Sequence, residues 1–126
     1  MTVPALKIYT FERFPQDYAK VQVNLGNAYW RLSYIRDKDA NVGRSIVCYR
    51  EALRVFTKEN LPIYCIITSI ALADSLFLKG DLQGALGVMN DMIPVAEKEN
   101  HPKLEWYRQF YTSLKSQNLE NNDYSM

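Results

Sequence analysis

Apolar positions recur at helical spacing along this chain, and no stretch alternates with period two over a useful length. Tyr18, Val21, Leu25, Ala28, Tyr29 and Leu32 share one side of a helical wheel and predict an amphipathic helix over 16–34, with that side inward. After a polar loop, Asn41 is the expected cap of a second helix whose apolar side carries Ile46, Tyr49, Ala52, Leu53 and Phe56. Residues 63–79 are apolar on every side of the wheel, follow Pro62 and stop at Gly80-Asp81, which predicts a central helix covered by neighbours all round. It is short for a membrane span, and Thr68, Ser69, Asp74 and Ser75 interrupt it. Asp81 caps a fourth helix with Ala85, Leu86, Met89, Met92, Ile93 and Ala96 inward, and Pro94 predicts a kink or a break near 90–94. Pro102 opens a last helix with Leu104, Trp106, Tyr107, Phe110, Tyr111 and Leu114 in one sector and a polar back suited to capping the stack. The polar stretch 117–126 is expected to be a disordered tail, leaving 1–116 as one all-α domain.

A phrase repeats inside this pattern. Residues 5–15, ALKIYTFERFP, and 52–62, ALRVFTKENLP, share Ala, Leu, Thr, Glu and Pro in register, with like-for-like exchanges between them. A third copy, VAEKENHP, spans 95–102. The unit is a helix–turn–helix of roughly forty residues. In this register residues 3–14 match the second half of an outer helix whose partner would lie upstream, so the edge carrying Leu6, Ile8, Tyr9 and Phe11 is an expected site of self-association into a homodimer.

Leu25-Gly26-x-x-Tyr29 followed by Ser45-x-x-x-Tyr49-x-x-Ala52 resembles the tetratricopeptide repeat (TPR). Leu72-Ala73-x-x-Leu76, Gly80-Asp81 and Ala85-x-x-x-Met89-x-x-Met92 repeat the pattern, and the long unit is similar to the subset with repeats of about forty residues. Gly26 has no glycine counterpart in the second unit, and Met92 stands where a small residue is usual, so the second hairpin is expected to pack less regularly. The resemblance implies a short right-handed α-α solenoid: an N-terminal half-repeat, two hairpins and a capping helix. It also implies partner binding on the concave face of the first helix of each pair. Carried over by position, that face is Lys20, Val23, Asn24, Asn27, Trp30 and Arg31 on one helix and Ile67, Ile70, Asp74 and Phe77 on the next. Lys20, Asn24 and Asn27 resemble half of the family's carboxylate clamp, but Ile67, Ile70, Ala71 and Asp74 bring no cation opposite. A peptide with an apolar face, or an amphipathic helix, suits that surface better.

Composition narrows the alternatives. A chain 48% hydrophobic and 23% charged with net charge +1 is that of an ordinary globular domain, without the basic stripe that nucleic acid requires. Cys48 and Cys65 are too few for a disulfide framework, and with His101 the lone histidine no metal-ligand set is spelled out. Free thiols and the lack of a leader-like start point to the cytoplasm. Neither a nucleophile–base pair nor a phosphate-binding glycine loop is legible, so no catalysis, cofactor or metal is expected. A self-assembling scaffold is the alternative to a binding module.

Overall fold

The structure, a computed structural model, describes residues 10–124. Its described residues form five α-helices and no strand: α1 Pro15–Leu32, α2 Lys38–Ala52, α3 Pro62–Lys79, α4 Leu82–Lys98 and α5 Leu104–Tyr124. Substantial helix-to-helix contact joins only consecutive helices. Tyr18 Oη donates to Glu51 across α1 and α2, Ser45 Oγ and Ser75 Oγ lie 3.0 Å apart across α2 and α3, and Gln83 Nε2 donates to Asn118 across α4 and α5. The Tyr18–Glu51 and Gln83–Asn118 contacts each join the start of one helix to the far half of the next, so α1 and α2 run antiparallel and α4 and α5 do too; Lys20 with Tyr64 and Trp30 with Asp74 keep one separation along the chain, so α1 runs parallel to α3.

Proline sets the starts of α1 and α3. Pro15 and Pro62 occupy the first turn, where the missing N–H costs no hydrogen bond. The turns before them are duplicates. Phe14 (φ −135°, ψ 69°) and Leu61 (φ −138°, ψ 66°) share one backbone conformation. Phe14 N donates to Thr10 O and Leu61 N to Thr57 O, both at 2.9 Å. Thr10 Oγ1 accepts from Arg13 N and Thr57 Oγ1 from Asn60 N. The third copy ends differently because Glu97 stands where those threonines stand. There α4 closes on Asn100 in the left-handed region (φ 53°), with Asn100 N donating to Glu97 O and His101 N to Ala96 O. Gly80 closes α3 in the same way at φ 92°, with Asp81 N on Leu76 O.

Several expectations need correction. The cap of α2 is Asp37, in the left-handed region at φ 44°, and not Asn41. Asn41 is buried inside the helix, where Nδ2 donates to Arg36 O at 2.9 Å and Oδ1 accepts from Arg44, so it fastens the preceding loop. The helix stops at Ala52, and Phe56 reaches the core from a turn. On α1 the deeply buried line is Ala19, Gln22 and Gly26, facing α2, while Val21, Leu25 and Tyr29 are only half-buried and Ala28 is exposed. The α4 helix runs unbroken through Pro94. Met92 is buried beside Met89 and Ala96, its flexible thioether filling the space a small residue would leave. The last helix begins at Leu104, not Pro102, and Trp106 is 55% exposed, stacked on Phe110 outside the core that Tyr107 and Leu114 enter. It continues to Tyr124, past the point where a disordered tail was expected, because the polar residues after Leu114 include no glycine or proline to stop it.

The central helix departs most from its expected setting. Ile66, Leu72, Ala73 and Leu76 are fully enclosed by α2 and α4, but Ile63, Tyr64 and Ile67 are 44%, 42% and 47% exposed. Neighbours leave one side of the first two turns of α3 uncovered, whereas from Thr68 to Leu78 every residue is buried or half-buried. By length and composition alone this helix could cross a membrane, a property that core helices of globular proteins share.

Candidate functional site

Because α1 and α3 run parallel on the same side of α2, a valley separates them. Its two ends are marked by contacts with the same separation along the chain: Lys20 Nζ lies 5.6 Å from the Tyr64 ring centroid, and the Trp30 indole meets Asp74. At the Lys20–Tyr64 end a cavity of about 360 Å³ is lined by Lys20, Val23, Asn24, Phe56, Tyr64, Ile67 and Thr68. The Phe56 and Tyr64 rings stack with centroids 4.8 Å apart, forming a rigid aromatic floor at one end.

Of the expected binding residues, Lys20, Val23, Asn24 and Ile67 line this cavity. Lys20, Asn24, Arg31 and Ile67 are exposed, and Val23, Ile70 and Phe77 are half-buried. Two behave differently from solvent-facing contact residues. Asn27 Oδ1 already accepts a 2.6 Å hydrogen bond from Tyr49 Oη, so this amide is committed to holding α1 on α2. Trp30 is half-buried, edge-on to Tyr34, with its Nε1 enclosed and lacking a hydrogen bond of ordinary geometry. Asp74 is set against that N–H. Burial pushes the Asp74 carboxyl above its ordinary value, and the indole only partly offsets this. Tyr49, enclosed between the helices, is pushed up to about 12 by burial first and by the Asp74 charge second.

The expected self-association residues Leu6, Ile8 and Tyr9 lie outside the described residues. Phe11 is half-buried, edge-on to Tyr18 and under the Arg54 guanidinium at 3.9 Å, so its ring is engaged within the chain. A feature that sequence reading missed stands nearby: Leu25, Tyr29, Ala40, Gly43, Arg44, Val47 and Cys48 line an open, largely apolar hollow of about 440 Å³ on the outer flank of α1 and α2. Val47, absent from the predicted inward side of α2, was the available signal.

Other chemistry is sparse. Burial pushes the Cys48 thiol up to about 11 and raises that of Cys65, which suits unreactive thiols rather than nucleophiles. His101 Nδ1 accepts from Lys103 N at the α4–α5 junction, and its ring leans on Tyr107. A cleft of about 480 Å³ between Lys58, Glu59 and α4 is rimmed by charges of both signs, among them Asp91, Lys98 and Glu99. No group of three or more His, Cys, Asp or Glu able to hold a metal occurs among the described residues. No family model, curated protein or solved structure matches the chain.

Proposed function

We propose that this chain is a short right-handed solenoid of TPR-type hairpins acting as a non-catalytic interaction module in the cytoplasm, and that it holds a peptide or helix of a partner protein in the valley between α1 and α3. The consecutive-only packing supports the solenoid reading. So does the small-against-large pairing of Gly26 and Tyr49, in which a Cβ on Gly26 would come within 2.7 Å of the ring. The observation that carries the functional reading is the apolar line on α3, Ile63 and Ile67 above all, standing exposed beside the parallel α1. Uncovered isoleucines on a helix whose other side is sealed are suited to a partner's apolar surface. Ile67→Glu tests this, since the site is exposed and the fold is expected to persist. Proteins captured by the wild type from its source cell should be lost with Ile67→Glu at unchanged helical content; an identical captured set removes the reading.

Self-assembly is the second reading, favoured by the apolar hollow on the outer flank of α1 and α2, where Val47 is 67% exposed. A second copy seated there would give a homodimer. Sedimentation of wild type against Val47→Glu decides it: a dimer that the charge splits supports assembly, and a wild-type monomer at tens of micromolar, roughly the range of weak homodimers, excludes it.

A further inference from the structure

The valley also constrains what kind of segment fits it. An extended peptide is held through its backbone and needs free amides along the groove. Asn24 offers one, but the Asn27 oxygen is occupied by Tyr49. What the valley offers instead is apolar area at helical intervals, Ile63, Ile67 and Ile70, in line with one acidic side chain, Asp74. Asp74 is half-buried and forms no ion pair among the described residues. The groups set against it are the Trp30 indole from α1 and the Tyr49 hydroxyl from α2. Arg31, which also acts on Tyr49, is exposed and takes part in no ion pair among the described residues. An anion and an enclosed, unsatisfied indole N–H thus stand together at one end of an apolar track.

We propose that the occupant of the valley is an amphipathic helix that lays its apolar face on Ile67 and Ile70 and sets a lysine or arginine against Asp74. This rests on the valley being a binding site. The incoming cation supplies the counter-charge that the chain leaves out, and a carboxylate held ionised is the better acceptor for Trp30 Nε1. Burial already disfavours the bare Asp74 charge, so a cation delivered there is worth more than one at an open surface.

The test is selection from a displayed library of amphipathic helical peptides with a fixed leucine spine and randomised polar positions. Binders are isolated on the wild type and on Asp74→Asn, an isosteric change that relieves a buried charge and is expected to keep the fold. The expected result is enrichment of Lys or Arg at one position on the wild type, absent on Asp74→Asn, with a winning peptide losing about tenfold in affinity when Asp74 is neutralised. Asp74→Lys should in turn select Glu or Asp at that position. Binders with no charge preference that nevertheless lose affinity to Ile67→Glu overturn the proposed cation and leave the valley as a site. A parallel library of the same length with no fixed positions whose binders carry an apolar residue at every second position overturns the helix. A library that yields no binder sensitive to Ile67→Glu overturns the binding reading itself, and this inference with it.

Discussion

In the α1–α2 hairpin the helices close on a glycine and a tyrosine, whereas in the α3–α4 hairpin they close on alanines and methionines. Gly26 lets the Tyr49 ring lie against the α1 backbone, and Tyr49 Oη then reaches Asn27. Across α3 and α4 the buried set is Leu72, Ala73, Leu76, Ala85, Met89, Met92 and Ala96, with a tight glycine turn between the helices. The first closure is rigid and specific, because an aromatic ring on a bare backbone admits little adjustment. The second is compliant, because unbranched thioethers settle into irregular space. Their outward sides differ correspondingly: α1 shows the valley mostly polar groups, and α3 shows it isoleucines.

The largest effect that would break this comparison is loss of volume in the second hairpin. Met89→Ala, at a site with no exposure, is expected to cost about 2–5 kcal/mol in urea unfolding, while Met89→Leu costs less than about 1.5 kcal/mol. If both substitutions cost the same, the compliance assigned to this core is wrong. Next comes overpacking in the first hairpin. Gly26→Ala is expected to destabilise by about 1–3 kcal/mol, less whatever helix propensity returns, because the new methyl meets Tyr49 ring atoms at 2.7 and 2.9 Å. A neutral result there would mean the ring shifts freely.

The two hairpins also carry carboxylates of opposite character. Glu51 is held below its ordinary value, first by the Tyr18 hydroxyl at 2.7 Å and then by Arg54. A lowered group contributes stability above its unfolded value and loses it as pH falls through the folded value, so Glu51→Gln should lower the melting temperature at neutral pH and matter little in acid. Asp74 is held above its ordinary value by burial, so its contribution is present below the unfolded value and lost as pH rises through the folded one. Asp74→Asn should therefore raise the melting temperature at neutral pH and leave it unchanged in acid. Melting curves of both variants at the two pH values check the opposite signs. The smallest expected effect is at Gly87 in α4, which has open space around its Cα. Gly87→Ala should stabilise by about 0.5–1 kcal/mol, the reverse of Gly26→Ala, as chemical denaturation would show.

Sequence reading reached most of the fold where a local signal had a local cause. Pro15 and Pro62 open helices, Gly80 closes one, and Asp81 Oδ1 accepts from Gly84 N at 2.8 Å to cap the next. The threonine-to-proline phrase is legible because Thr10 and Thr57 make the same turn bonds. Position across the fold was harder to read. Ile63 and Ile67 carry the same hydropathy whether a neighbour covers them or not, so periodicity turned an uncovered side of α3 into core. The inward line of α1 was misplaced for a related reason: Gly26 and Ala19 are buried because they are small, and size does not register as hydrophobicity. At the site, individual residues could be named from the repeat register. The meeting of Trp30 with Asp74 and the commitment of Asn27 to Tyr49 depend on how α1 and α3 are set against α2, which no local pattern encodes.

Since each helix makes its substantial contacts with the one before and the one after, nearly all the cohesion among the described residues lies between segments close in sequence. Among the described residues no substantial contact clasps the first helix to the last. Pulled apart by its two ends, such a chain is expected to peel from the extremities one rod after another, giving a staircase of small force steps rather than a single rupture.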